Sequence, residues 1–145
     1  MHIDQWFSNL VWSPPIPIES LRSNRSVLPR LSGVYVFTNY AGRLEKNTGV
    51  LYVGKAGNLF TRVPAYLVDP STMPVISART GKLSSSLRHA GKNGILTELQ
   101  ARSRGTAPSG IYVRWSTTLD PQTTETLLIG YLRPAFNTQG LGSDD

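Results

Sequence analysis

Two β-branched and aromatic runs constrain this chain more than any other feature. Val34-Tyr35-Val36-Phe37-Thr38 and Val50-Leu51-Tyr52-Val53-Gly54 both read as strands. Between them, residues 39–49 are polar and carry two glycines, so they form a loop. Strand, loop and strand at this distance predict an antiparallel hairpin with a generous turn. Downstream, residues 111–117 alternate, with Ile111, Val113 and Trp115 expected to face the core, and make a third strand.

Helices fill the intervals. Asn58 can cap a helix starting at Leu59, where Leu59, Val63 and Leu67 recur at helical spacing. Pro64 removes a backbone donor and should kink or end that helix. Residues 75–104 are helical in pieces. Asp120 with Pro121 starts the last helix, which Pro134 stops. The expected fold class is α/β, a small three-stranded antiparallel sheet flanked by helices. Residues 1–30 read as an irregular N-terminal arm. Pro14, Pro15 and Pro17 forbid a continuing helix there, and Trp6, Phe7, Leu10, Val11 and Trp12 should pack the arm onto the core. The main body spans 31–139, with a basic helical insertion at 75–105, and residues 140–145 are expected to be a flexible tail.

Composition narrows the chemistry. The chain has 145 residues and no cysteine, which excludes disulfides, thiolate metal sites and a cysteine nucleophile. Two histidines, His2 and His89, exclude a multi-histidine metal site, and neither has the setting of a nucleophilic triad. No apolar run approaches the roughly 18 residues of a membrane span. The first residues have neither the basic start nor the apolar stretch of a signal peptide, so a cytoplasmic protein is expected. Fifteen Lys and Arg against nine Asp and Glu give a net charge of +6. Eleven of the fifteen cations are arginine, whose planar fork suits bidentate phosphate contacts. That balance points to nucleic acid, or more weakly to an anionic membrane surface, although many basic proteins bind neither.

Four constellations could carry chemistry. Gly33-Val34-Tyr35 and Tyr52-Val53-Gly54 place two phenols on paired strands, beside glycines that let backbone pass closely. On physics alone these are ordinary strand tyrosines that bond at their tips. Lys55, Arg62 and Tyr66 gather two cations and a phenol at a strand-to-helix junction, which suits either a phosphate or a solvated surface pair. Glu125 sits on one helical stripe with Leu128, Ile129 and Leu132. A carboxylate there either binds a hard cation or an arginine, or is simply favoured by the helix dipole. Finally, Arg79, Lys82, Arg88, His89, Lys92, Arg102 and Arg104 face only one acid, Glu98. They could track a phosphate backbone, though a solvated helix face is the commoner reading for any one of them.

Taken in order, these residues resemble the GIY-YIG nuclease family. The match runs Gly33-Val34-Tyr35, Tyr52-Val53-Gly54-Lys55-Ala56-Gly57-Asn58-Leu59, Arg62-Val63, Tyr66, Glu125-Thr126-Leu127-Leu128-Ile129 and Pro134-Ala135-Phe136-Asn137. Residues 52–66 are especially similar to the nuclease domain of the bacterial excision-repair incision subunit. The long insertion is more like the family's restriction-type members. Sixteen residues, 36–51, separate the two tyrosine motifs, more than the family's short turn, so the hairpin loop is enlarged.

The resemblance implies metal-dependent hydrolysis of a DNA phosphodiester. It implies that Glu125 holds one Mg²⁺, with Mn²⁺ as a substitute, and that the metal stabilises the leaving 3′ oxygen. By the same pattern Tyr35 takes a proton from the attacking water, with Lys55 and the metal favouring its phenolate. Arg62 neutralises phosphoryl charge, Tyr52 and Tyr66 orient the phosphate, and Asn137 supports the site or braces the Glu125 helix. The implied partner is DNA. Target choice would fall to the insertion, the hairpin loop or a partner, whether a second copy in a homodimer or a specificity protein. The alternative is a non-catalytic nucleic-acid-binding module on the same fold. Every expected catalytic position is filled, which argues against it.

Overall fold

The hairpin forms one half of an antiparallel sheet. Strand β2 (Gly33–Thr38) pairs with β3 (Val50–Ala56), placing Tyr35 opposite Gly54 and Phe37 opposite Tyr52, with a slip between Phe37 and Thr38. Strand β4 (Tyr112–Thr117) lies on the other side of β2. These data come from a computed structural model that describes residues 2–46, 49–67, 110–135 and 137. The basic segment 75–105, with Arg79, Lys82, Arg88, His89, Lys92, Arg102 and Arg104, lies outside the described residues, as does the tail 140–145.

The sheet has four strands where three were expected. Strand β1 (Ile16–Pro17) pairs antiparallel with β4, giving the order β1-β4-β2-β3. Two residues are too few to leave a period-2 signature. A proline is tolerated there because an edge strand has one unpaired side. Strand β3 also runs past Gly54 to Ala56, so Lys55 is a strand residue and does not follow the strand. The arm is not wholly irregular either: it opens with a short helix, α1 (Ile3–Ser8).

Both faces of the sheet are covered, which explains why β2 is buried along its whole length and reads as a continuous apolar run. On the first face, Tyr35, Phe37, Tyr52, Val113 and Trp115 pack with Ile18, Leu21 and Leu28 of the arm. Helix α2 (Leu59–Arg62) and a 3₁₀ turn (Val63–Leu67) close that side. On the second face, Val34, Val36 and Val53 meet Leu128 and Leu132 of helix α3 (Pro121–Leu132). Trp6, Phe7, Leu10 and Trp12 of the arm pack on this second face, as expected, whereas Val11 is exposed. The arm therefore touches both faces and adds an edge strand between them.

The helix boundaries follow local chemistry. Asn58 accepts the backbone N–H of Phe60, which caps α2. Pro64 converts the rest of that segment to the 3₁₀ turn. Asp120 accepts the N–H of Thr123, with Pro121 in the first turn of α3. Arg133, at a φ of 54°, ends α3 in a left-handed cap ahead of Pro134. Among the described residues no helix is long and apolar enough to cross a membrane.

Candidate functional site

Strand pairing and the turn after Pro64 bring two motif tyrosines together. The hydroxyls of Tyr35 and Tyr66 are 2.7 Å apart and hydrogen-bonded. Their rings meet edge-on, with centroids 5.7 Å apart. Phe37 meets Tyr66 edge-on at 4.8 Å and leans on Tyr52 at 6.2 Å. All three tyrosines are buried: exposure is 0% for Tyr35 and Tyr66 and 1% for Tyr52. The 3₁₀ turn therefore seats Tyr66 against Tyr35 in spite of Pro64.

The motif glycines have specific spatial reasons. The Tyr35 ring lies across Gly54, and a Cβ at that position would collide with the ring's Cζ and hydroxyl. A Cβ at Gly33 would run into the Ser116 carbonyl and a methyl of Leu59. Both sites need the absence of a side chain to allow close approach, and neither has a positive φ.

Beside this cluster lies a cationic margin. Lys55 is next to Gly54, so alternation points its side chain to the opposite face, where Nζ donates to Oε1 of Gln122 at 3.1 Å. Arg62 donates from Nη1 to the Lys55 carbonyl at 3.0 Å. Lys55, Arg62, Gly57, Asp120 and Gln122 help to line a pocket of about 240 Å³ at the start of α3. Capping by the side chain and backbone of Thr123 lowers the Asp120 carboxyl below its ordinary range, so it is a carboxylate at neutral pH. Strand β3 is an edge strand and carries this pocket at its end, whereas Tyr35 lies on the interior strand β2.

Glu125 is half-buried and stands one turn beyond Gln122 on the same face of α3, followed on that stripe by the buried Leu128 and Leu132. Among the described residues, no three His, Cys, Asp or Glu side chains gather. A single carboxylate suits an ion that keeps most of its waters, as Mg²⁺ does. Asn137 braces β3: its Oδ1 accepts the Val53 N–H at 2.7 Å and its Nδ2 donates to the Val53 carbonyl at 2.8 Å. That side-chain amide acts as one rung of a missing strand. The Ala135 N–H adds a second tie to the Val50 carbonyl.

The structure thus joins Tyr35 to Tyr66, Arg62 to Lys55, and Asn137 to β3. It does not bring the Lys55 ammonium to the Tyr35 hydroxyl, since the two side chains leave opposite faces. Gln122 escaped the sequence reading, although it precedes Glu125 by three residues on the same stripe. Arg114 escaped it as well. It is 3% exposed in the middle of β4 and donates from Nη1 to Thr38 Oγ1 at 3.0 Å. Its Nη2 donates to the carbonyls of Tyr40 and Gly42. Burial pushes its pKa below the usual guanidinium value. Its one sequence signal was a cation between two core residues, Val113 and Trp115.

A scan against protein-family models, a search of curated proteins and a search of solved structures each return no match for this chain.

Proposed function

We propose that this chain is a metal-dependent DNA endonuclease of the GIY-YIG type. The observation that carries the reading is the meeting of Tyr35, Gly54 and Tyr66. These come from three separate segments, and the ring of one lies over the glycine while its hydroxyl bonds the third. The pair ties the two phenol oxygens together on the first face, and Lys55 and Arg62 line a separate pocket at the end of β3.

In this reading a DNA phosphate enters beside Lys55 and Arg62, and the guanidinium of Arg62 offsets charge that builds on the phosphoryl oxygens. Tyr35 acts as its phenolate: the Tyr66 hydroxyl donates to the Tyr35 oxygen, and that oxygen takes a proton from the attacking water to become a neutral phenol. Tyr52 orients the phosphate from the same face. Glu125 would hold the divalent ion, with water and phosphate oxygens as its other ligands. A bound ion of this kind supplies positive charge for the leaving 3′ oxygen. Asn137 keeps β3, and with it Gly54 and Lys55, in register against α3.

The complete burial of all three tyrosines favours a second reading, a non-catalytic nucleic-acid-binding module in which the phenols only pack. Incubation with supercoiled plasmid in Mg²⁺, Mn²⁺ or EDTA separates the two. Cleavage that needs metal, and that Glu125→Ala abolishes while DNA binding persists, supports the nuclease. DNA binding without cleavage in any metal supports the module. Cleavage unchanged by EDTA removes the role of Glu125.

A further inference from the structure

A concave feature lies on the second face, away from the tyrosine pair. It is a pocket of about 710 Å³ between the arm, the hairpin loop and the end of α3. That volume falls within the range of small-ligand sites, roughly 300–1,000 Å³. Its lining holds three cations, Arg43, Lys46 and Arg114, against one carboxylate, Glu45. It also holds three aromatic rings, Phe7, Trp12 and Tyr131.

The rings form an organised wall. Phe7 stacks on Tyr131 with centroids 4.6 Å apart and an interplanar angle of 29°, and Trp12 lies 6.4 Å from Phe7. The Tyr131 hydroxyl donates to Asp4 at 2.8 Å, which fixes that ring. The indole N–H of Trp12 is buried and has no acceptor among the described residues. Native structures seldom leave such a donor unpaired.

The cations form a second element. Arg114 lies beneath the pocket, bonded only to neutral acceptors, and among the described residues it makes no ion pair. A buried charge without a counter-charge is costly. An anion above it would recover part of that cost. Arg43, exposed at the rim, also makes no ion pair among the described residues. Lys46 lies over the Tyr131 ring at 5.1 Å, and its ammonium is 3.9 Å from the exposed Asp4 carboxylate.

A positive floor and rim beside flat π faces matches one ligand chemistry, a phosphate joined to an aromatic base. An inorganic anion or an acidic peptide would use the cations but not the rings. We propose that this pocket binds a single unpaired nucleotide, its base against the Phe7–Trp12–Tyr131 wall and its phosphate between Arg43 and Lys46 above Arg114. The nucleotide can be free or part of a single-stranded segment of DNA. The inference is separate from cleavage, because it concerns the other face and needs no metal.

The test is a titration of the full chain in EDTA, read by tryptophan fluorescence and by backbone amide shifts. The probes are thymidine monophosphate, a short oligo-dT, a hairpin duplex of matched length and inorganic phosphate. Quenching by thymidine monophosphate or oligo-dT, with shifts at residues 7–12 and 43–46, is expected. Equal affinity for the two marks a free-nucleotide site, and tighter oligo-dT marks a strand-binding site. The double variant Arg43→Ala/Lys46→Ala should weaken binding by about ten-fold or more while its thermal midpoint stays unchanged. Trp12→Phe keeps a ring for the arm and should keep most of the affinity, whereas Trp12→Leu should lose about five- to ten-fold. Binding only to duplex, equal binding of phosphate and nucleotide, or full affinity in the double variant would each overturn the proposal. Because every arm is run in EDTA, loss of plasmid cleavage and loss of nucleotide binding report on different readings.

Discussion

The two faces of one four-stranded sheet solve opposite problems. The tyrosine face is closed: its hydroxyls bond each other, its rings meet edge to face, and its glycines remove the side chains that would stand in the way. The α3 face packs Val34, Val36 and Val53 on Leu128 and Leu132 but carries a cation at each end, Lys55 toward the start of α3 and Arg114 under the arm. The first face depends on shape and tolerates little change. The second tolerates surface change but depends on charge. Substitutions on the first should therefore move stability and chemistry together, and those at exposed cations of the second should move binding with little effect on folding.

The largest effect is expected at Tyr35. Tyr35→Phe keeps the ring and the strand but removes the hydroxyl bonded to Tyr66. If Tyr35 is the general base, plasmid cleavage should slow by about 10²–10⁴. Losing a buried hydrogen-bond partner should also cost about 1–3 kcal/mol in urea denaturation. Cleavage within a few-fold of wild type, with the stability loss intact, would make this face purely structural.

Gly54→Ala comes next. The added methyl meets the Tyr35 ring directly, and overpacking of this kind costs about 1–3 kcal/mol. The double variant Gly54→Ala/Tyr35→Leu should recover part of that loss, because the shorter side chain vacates the space over residue 54. Independent, additive losses in the two single variants would show that the ring does not depend on this glycine.

The same contrast governs how much the sequence revealed. The tyrosine face was legible because its contacts are short-range in pattern. Gly33, Tyr35, Tyr52 and Gly54 alternate on one hairpin, and Asn58 and Pro64 mark where the next segment starts and breaks. The hairpin, the third strand and the last helix follow from such local rules. The α3 face was less legible because its groups come from distant places. Arg114 is tied to the carbonyls of Tyr40 and Gly42 across 74 and 72 residues, and Lys55 meets Gln122 across 67. Strand β1 was missed for a related reason: two residues carry no period, and only β4 makes them a strand.

On the α3 face, Arg114→Met tests whether the buried charge also holds the hairpin loop. The methionine fills similar space but leaves the Thr38 hydroxyl and the carbonyls of Tyr40 and Gly42 without this donor. The expected cost is about 1–2 kcal/mol, moderated because removing a buried charge also removes its desolvation penalty. Amide exchange should quicken at residues 40–44 and stay unchanged around Tyr66. Faster exchange on both faces would mean that the faces are not independent.

The smallest effect concerns acid stability at the start of α3. Asp120 is exposed, and its carboxylate accepts the Thr123 N–H at 3.1 Å. Thr123 holds its pKa below the ordinary carboxylate value, so the folded chain binds this proton less readily than the unfolded chain does. The stabilisation is therefore present above the ordinary carboxylate range and is lost as pH falls through the depressed value. Asp120→Asn keeps an oxygen that can cap but cannot titrate, and Asp120→Ala removes the cap altogether. The thermal midpoint of the asparagine variant should be close to wild type at pH 7 and should fall less steeply on acidification. The alanine variant should be lower at pH 7 and converge with wild type in acid. Because α3 lies on the second face, neither variant should disturb exchange at Tyr35 or Tyr66. Parallel acid curves for all three proteins would mean that Asp120 contributes nothing that depends on its charge.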